Sequence, residues 1–345
     1  MPIVKSLEQV LKLNYSEDAS QMGLRSYIIR RLIMFFPIFL VSSAIVFSLM
    51  HLAPGDPVEL MFRGAGKPTN PQIIEEIRER LGLDRPLHEQ YFIWIINFLK
   101  GDLGYSYLNN RPVSQLIIER IWLTVELVLL SEILALAIGI LLGVTAAIKK
   151  NTKIDALLTT TSLFGYCMPS FWFGIMLMLI FAVKLRLFPT FGAETPGVTL
   201  DFWGRIIDNL RHLFLPLMTL TIGMAAWYVR LVRSSMLDVL NMDYIKTARA
   251  KGLKEKVVIY KHALRNALLP VVTSFGLSLG FVLGGAVVIE TIFSWPGLGW
   301  LIVKSALARD YPVIMGTSML IVLSVLIANL ITDIVIALID PRIKY

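Results

Sequence analysis

Long apolar runs limit what this chain can fold into. Six stretches reach the roughly 20 apolar residues that an α-helix needs to cross a membrane; they are residues 32–53, 121–148, 157–183, 213–232, 268–289 and 313–339. Only 17% of the 345 residues are charged, whereas soluble domains carry about a quarter. The pattern predicts an all-α membrane protein with six transmembrane helices, the third and fourth kinked or broken at Pro169 and Pro216.

The distribution of charge predicts the orientation of these helices. If the N-terminus lies inside, the cytoplasmic segments carry 19 Lys/Arg and 8 acids, and the external segments carry 14 of each. Positive charge accumulates on the cytoplasmic side of membrane proteins, so we expect both termini to be cytoplasmic. The net charge of +8 is therefore attributed to topology in the cell membrane, with the lipid bilayer as partner and no nucleic acid bound.

The segment between the first two spans is long enough to fold on its own. We divide the chain into a cytoplasmic extension (1–24), a first span (25–53), an external helical loop (54–120) and a core (121–345) that includes the cytoplasmic segment 234–266. Within the loop, "NPQIIEEIRERLGLD" and "PLHEQYFIWIINFLKGDLG" predict two amphipathic helices that form a cap on the outer membrane surface. Tyr91 and Trp94 suit either the membrane interface or a small core within the cap.

Two features inside the spans point to close packing and to a polar contact. Gly139 and Gly143, and likewise Gly276, Gly280 and Gly284, recur every four residues, a spacing that lets two helices approach backbone to backbone. The same smooth faces would also suit a moving, pore-lining contact. Glu132 is the acid deepest within a span, and its charge requires either a polar cavity or a partner on another helix.

The sequence contains no recognisable catalytic or metal-binding pattern. "GAGKP" at 64–68 lacks the strand, the glycine spacing and the Ser/Thr of a phosphate loop. The four histidines lack metal-ligand spacing, and no G-x-S-x-G motif is present. We therefore predict a chain that is not an enzyme and that binds no metal or cofactor itself.

A basic stretch between the fourth and fifth spans reads "DYIKTARAKGL" (243–253). Periodicity predicts a helix over 234–251 that stops at Gly252, with Met236, Leu240, Tyr244, Thr247 and Ala248 on one side, and a second helix returns to the membrane. Small residues let such an elbow enter a groove of a partner, and its charges fix the register. Attraction to anionic lipid headgroups would explain the lysines but not the alanines and the glycine.

This stretch resembles the cytoplasmic coupling segment of ABC-importer permeases of the peptide/nickel (dipeptide and oligopeptide) family. "YIIRRL", "LAPGDP", "LGLDRPL", "GDLGYS", "PSFW", "ARDYP" and "DPRIKY" are similar to that family in order and spacing, over residues 25–345. The general importer pattern Glu-Ala-Ala with a later glycine corresponds here to Lys246, Thr247, Ala248 and Gly252, so the acid is replaced.

The resemblance implies a type I importer fold and a heterodimer with a second, homologous permease. It further implies two ABC ATPase subunits, which would bind ATP and Mg²⁺, and an external solute-binding protein. The implied ATPase-coupling residues are Asp243, Tyr244, Lys246, Thr247, Ala248, Arg249, Ala250, Lys251, Gly252 and Leu253. Peptides are the expected solutes, with oligosaccharides or nickel as alternatives. Two other hypotheses are a proton-coupled secondary transporter that uses Glu132 and a membrane scaffold without transport.

Overall fold

The computed structural model describes residues 24–52, 72, 75, 76, 78, 83–280, 282, 284 and 286–339. Over these residues the regular structure is helical, apart from one antiparallel bridge between Tyr105 and Pro112, which confirms the all-α prediction. The principal helices are α1 (Leu24–Leu52), α2 (Leu87–Leu99), α3 (Val113–Ile148), α4 (Lys153–Cys167), α5 (Ser170–Leu177, continued by a π-helical stretch Met178–Lys184), α6 (Phe202–Leu240), α7 (Asp243–Ala250), α8 (Glu255–Val257, continued by a π-helical stretch Val258–Ala263), α9 (Leu264–Ala267), α10 (Leu269–Leu279), α11 (Val287–Ile292), α12 (Leu298–Ala308) and α13 (Tyr311–Ile339).

Four of these helices are long and apolar enough to cross a membrane by themselves: α1, α3, α6 and α13. A fifth span is formed if α4 and α5 are taken together, although their axes differ by 99°. The bend falls at the predicted Pro169, where Met168 is extended with ψ of 127°, because a residue before proline avoids the helical region. At Pro216, by contrast, α6 continues without interruption.

The predicted fifth span, 268–289, is not one continuous helix over its described residues. Helix α10 contains 11 residues, and at 1.5 Å per residue it covers about 16 Å of the roughly 30 Å hydrocarbon core. Turns at Val282, Gly284 and Ala286 separate it from α11. The apolar pattern of the sequence is continuous, but a glycine-rich segment weakens a helix. The described residues thus contain four or five spans, and the count of six is not confirmed; the orientation also stays a prediction.

The centre of the molecule is the long parallel pair α3 and α6, in which Gly139 lies against Tyr228 and Gly143 against Val232, with α4, α10 and α11 packed around it. One apolar cluster joins Ala135 and Val144 of α3 to Val232 and Met236 of α6, and reaches down to Ile245 of α7. A second cluster surrounds Leu127 and Leu213 at the opposite end of the same pair. The predicted coupling segment, 243–253, is therefore attached directly to the apolar core of the helix bundle.

The segment that follows the first span packs on α1 through an aromatic cluster. Phe98 of α2 contacts Phe39, and Trp94 and Tyr91 contact Phe47 with ring centroids 5.8 and 5.5 Å apart. Tyr91 Oη also shares a 2.8 Å hydrogen bond with Ser43 Oγ. Helix α2 is thus confirmed, and its aromatic residues pack against the first span. The N-terminal 1–23 and most of the first predicted amphipathic helix lie outside the described residues.

Candidate coupling segment and membrane-embedded polar contacts

The coupling segment is a separate short helix rather than the continuation of α6. Helix α6 ends at Leu240, and Asn241 closes it with backbone hydrogen bonds to Asp238 and Val239. Met242 is extended, with ψ of 150°, and α7 begins at Asp243. The single helix predicted over 234–251 was therefore wrong: the chain turns at Asn241 and Met242, and Asp243 in the first turn favours a new N-terminus.

The predicted stop at Gly252 has a clear backbone cause. Gly252 has φ of 74°, a left-handed conformation that is costly for residues with a Cβ. Its N–H donates to the Arg249 carbonyl (2.9 Å), and the Leu253 N–H points to the Ala248 carbonyl (3.4 Å), as expected of a glycine-terminated helix. The chain then enters α8, so that α7 and α8 form an elbow.

A charged pair holds the two arms of this elbow together. The guanidinium of Arg249 donates to both carboxylate oxygens of Glu255, at 3.2 and 2.7 Å. These hydrogen bonds hold the pKa of the Glu255 carboxyl below its usual value. Both side chains are about half exposed, so the pair contributes little free energy, but it fixes the geometry of the turn.

The coupling residues divide between an inner and an outer face. Ile245 and Ala248 are buried against Val258 and Ile259 of the returning arm. The remaining predicted coupling residues are exposed: Asp243, Tyr244, Lys246, Thr247, Arg249, Ala250, Lys251, Gly252 and Leu253. Ala248 therefore anchors the elbow, whereas Tyr244, predicted on the same side, is exposed and accepts a 2.7 Å hydrogen bond from Asn266 Nδ2.

Glu132 finds its partners on two other membrane helices. It is only 3% exposed, and its Oε1 accepts hydrogen bonds from Tyr228 Oη on α6 and Ser278 Oγ on α10. Of the two alternatives left open by the sequence, the structure places a partner on another helix. Glu132 thus ties α3, α6 and α10 together in the interior.

All five glycines lie in close contact with another helix, although Gly280 and Gly284 follow the end of α10. A Cβ on Gly139 would overlap the Cβ of Tyr228, and one on Gly143 would lie 2.7 Å from the Cβ of Val232, both on α6. The second set faces α13: a Cβ on Gly276, Gly280 or Gly284 would meet Thr332, Asn329 or Ile321 at 2.9, 3.2 or 3.0 Å.

Sequence reasoning missed three acids that organise the molecule. Asp155 accepts two hydrogen bonds from Arg233, Glu290 accepts from Thr124 and from the Trp300 N–H, and Asp310 accepts from Ser106 and two backbone N–H groups. Thr152, three residues before Asp155, was a visible helix-start signal. For Glu290 and Asp310, whose partners include residues 166 and 204 positions away, the pattern gives no such signal.

Four membrane-spanning helices, a bent pair and an elbow attached to the membrane core define a polytopic membrane protein. A model described as the inner membrane component of binding-protein-dependent transport systems matches residues 139–345, and the model of the N-terminal part of such components matches residues 24–128. The chain belongs to this family, and it is a permease subunit of an ABC importer located in the inner membrane.

Two relatives of known name agree with this assignment. The chain is 46% identical over 325 residues to the oligopeptide transport system permease protein AppB of Bacillus subtilis. This alignment covers 93% of this chain and 99% of the relative. It is 42% identical over 320 residues to the glutathione transport system permease protein GsiC of Salmonella typhimurium, with the same two coverages.

The fold comparison supports the predicted type I importer architecture. The inward-facing MetNI methionine ABC transporter aligns with a TM-score of 0.54 at 17% identity, over 66% of this chain and 97% of that chain. At this identity the likeness concerns the fold alone.

Proposed function

We propose that the chain forms half of the translocation pathway of an ATP-driven importer of short peptides, which an external solute-binding protein delivers. One observation carries the ATP-driven part of this proposal: the exposed face of α7 is connected, through the buried Ile245, to the apolar cluster that joins α3 and α6. A force applied to the elbow is therefore transmitted to membrane helices. The substrate class rests on the names of the relatives, which are oligopeptide and glutathione permeases.

The proposal assigns the remaining parts of the machine to partner subunits. A second, homologous permease supplies the other half of the pathway, and two ABC ATPases bind and hydrolyse ATP with Mg²⁺. This chain binds no cofactor. The exposed residues of the coupling segment enter a groove of one ATPase, where Lys246, Arg249 and Lys251 fix the register by charge complementarity.

The test uses the complete importer in proteoliposomes with ATP. We expect uptake of peptides that depends on ATP and on the binding protein, and loss of uptake in the variant Gly252→Pro combined with Arg249→Glu and Lys251→Glu. The chain purified alone should neither bind nor hydrolyse ATP. Normal uptake by the triple variant would contradict the coupling role, and uptake of only oligosaccharides or nickel would contradict the substrate class.

Glu132 offers a direct test against the rival hypothesis of proton-driven transport. Its Oε1 accepts both hydrogen bonds, and a glutamine carbonyl can accept the same two without titrating. We therefore expect Glu132→Gln to retain at least about half of the ATP-driven uptake, because its hydrogen-bonding partners keep an acceptor. A collapse of uptake in Glu132→Gln, together with inhibition by a proton uncoupler in the parent importer, would favour the rival.

A further inference from the structure

An aromatic and cationic site lies on the face of α6 that points away from α3. Trp227 and Tyr166 of α4 are stacked with ring centroids 5.9 Å apart, and the guanidinium carbon of Arg230 lies 5.1 Å from the centroid of the Tyr166 ring. Trp227 Nε1 donates a 3.2 Å hydrogen bond to Ser274 Oγ of α10. Trp227 and Arg230 line an open cavity of about 340 Å³, together with Leu231, Arg233 and Ser234 of α6 and Thr159 of α4.

The cavity carries an uncompensated positive charge. Arg233, which also lines it, is neutralised by Asp155 through hydrogen bonds of 2.7 and 2.8 Å. Arg230 contacts the Tyr166 ring, and in the part of the chain that the structure describes no carboxylate pairs with it. The N–H groups of the Arg230 guanidinium are thus available to bind an anion.

Arg230 lies on a membrane-spanning helix, where an unpaired guanidinium needs water or an anion. Tyr228 and Val232, on the opposite side of α6, pack against Gly139 and Gly143, so Trp227 and Arg230 face outward from the packed core. The two aromatic side chains are accessible, since Tyr166 is 50% and Trp227 43% exposed. A guanidinium facing hydrocarbon is costly, and such residues instead line water-filled cavities or meet an anion.

We propose that Arg230, with Tyr166 and Trp227, binds a carboxylate group of the transported solute in the cytoplasmic half of the pathway. The planar guanidinium matches a carboxylate in two parallel hydrogen bonds, and the two rings offer apolar surface to the remainder of a peptide. Arg230 lies 13 positions before the start of the coupling helix, which by the predicted orientation places it toward the cytoplasm. This inference rests on the proposed peptide function.

The experiment compares one peptide with a free C-terminal carboxylate and the same peptide as its C-terminal amide. Both are loaded on the binding protein, and uptake by the complete importer is measured for the parent chain, Arg230→Gln, Arg230→Lys and Trp227→Leu. Dividing each variant's uptake by that of the parent removes the preference of the binding protein. Arg211→Gln is the matched control, because Arg211 is an exposed arginine elsewhere on α6.

We expect Arg230→Gln to lower uptake of the carboxylate peptide about ten-fold relative to its amide, since hydrogen bonds to charged groups are lost. Arg230→Lys should recover part of the preference, Trp227→Leu should lower uptake of both peptides, and Arg211→Gln should change neither. Equal effects of Arg230→Gln on both peptides would overturn the inference. So would an effect seen only in vesicles containing phosphatidylglycerol and not in phosphatidylcholine alone, which would assign Arg230 to a lipid phosphate. Absence of peptide uptake by the parent importer would instead overturn the peptide function, and this inference with it.

Discussion

Tyr228 of α6 makes both a packing contact and a hydrogen bond with α3. Its backbone and Cβ fill the space left by Gly139, and its hydroxyl donates to Glu132. The small residue and the acid lie seven positions apart on α3, about two helical turns, so both face α6. A packing contact and a buried polar contact therefore depend on the same side chain.

Substituting Gly139 tests this contact. A Cβ added there meets backbone atoms of Tyr228 at 3.2 Å as well as its Cβ, and backbone cannot move as a side chain can. We expect Gly139→Ala to destabilise the purified importer by about 1–3 kcal/mol, the usual cost of overpacking, measured as a lower thermal unfolding midpoint. The control is Gly223→Ala on α6, where an added Cβ meets nothing within 4 Å. Equal unfolding midpoints for the two variants would contradict the close approach.

The ends of helices α4 and α7 each change the direction of the chain. The bend between α4 and α5 falls at Pro169, and the elbow after α7 depends on the left-handed Gly252. Both are local backbone effects, which is why they could be predicted. The break at Asn241 and Met242 has no such marker, since neither residue excludes a helix.

The conformation of Gly252 can be tested by two substitutions at one site. Alanine in a left-handed conformation costs about 1–2 kcal/mol, whereas asparagine is tolerated there. We expect Gly252→Ala to lower the amount of peptide imported per ATP hydrolysed, and Gly252→Asn to stay close to the parent value. Hydrogen exchange over 243–257 should show the same order. If alanine and asparagine behave alike, the left-handed turn is not what the elbow requires.

Contacts between residues far apart in the sequence join the segment 104–111 to the last span. Asp310, at the start of α13, accepts hydrogen bonds from Ser106 Oγ and from the N–H groups of Tyr107 and Leu108. Arg31 and Asp333 join the first and last spans with an ion pair of 3.1 Å. The first and last described spans, α1 and α13, thus lie against each other.

Removal of the Asp310 carboxylate should loosen the segment 104–111. Asp310→Ala leaves a hydroxyl and two N–H groups without their acceptor, at a cost of about 1–3 kcal/mol for each group that stays buried. We expect faster limited proteolysis between residues 104 and 111 in the intact importer. Asp102→Ala is the control, because Asp102 accepts one exposed hydrogen bond, from Gly104. Identical cleavage rates in the two variants would show that Asp310 does not hold the segment.

The membrane class, most of the long helices, the proline bend, the glycine turn and the permease family could all be predicted from the order of the amino acids. These depend on composition, on periodicity and on backbone preferences that act within a few residues. The interruption of the span predicted over 268–289, the separation of α7 from α6, and the hydrogen-bond partners of Glu132 and Asp310 became visible only in the folded molecule. Ser278 lies 146 positions from Glu132, and Ser106 lies 204 from Asp310. Such pairs meet only after the helices have packed, because the partner of a buried acid is fixed by the geometry of the bundle and not by its neighbours in the chain.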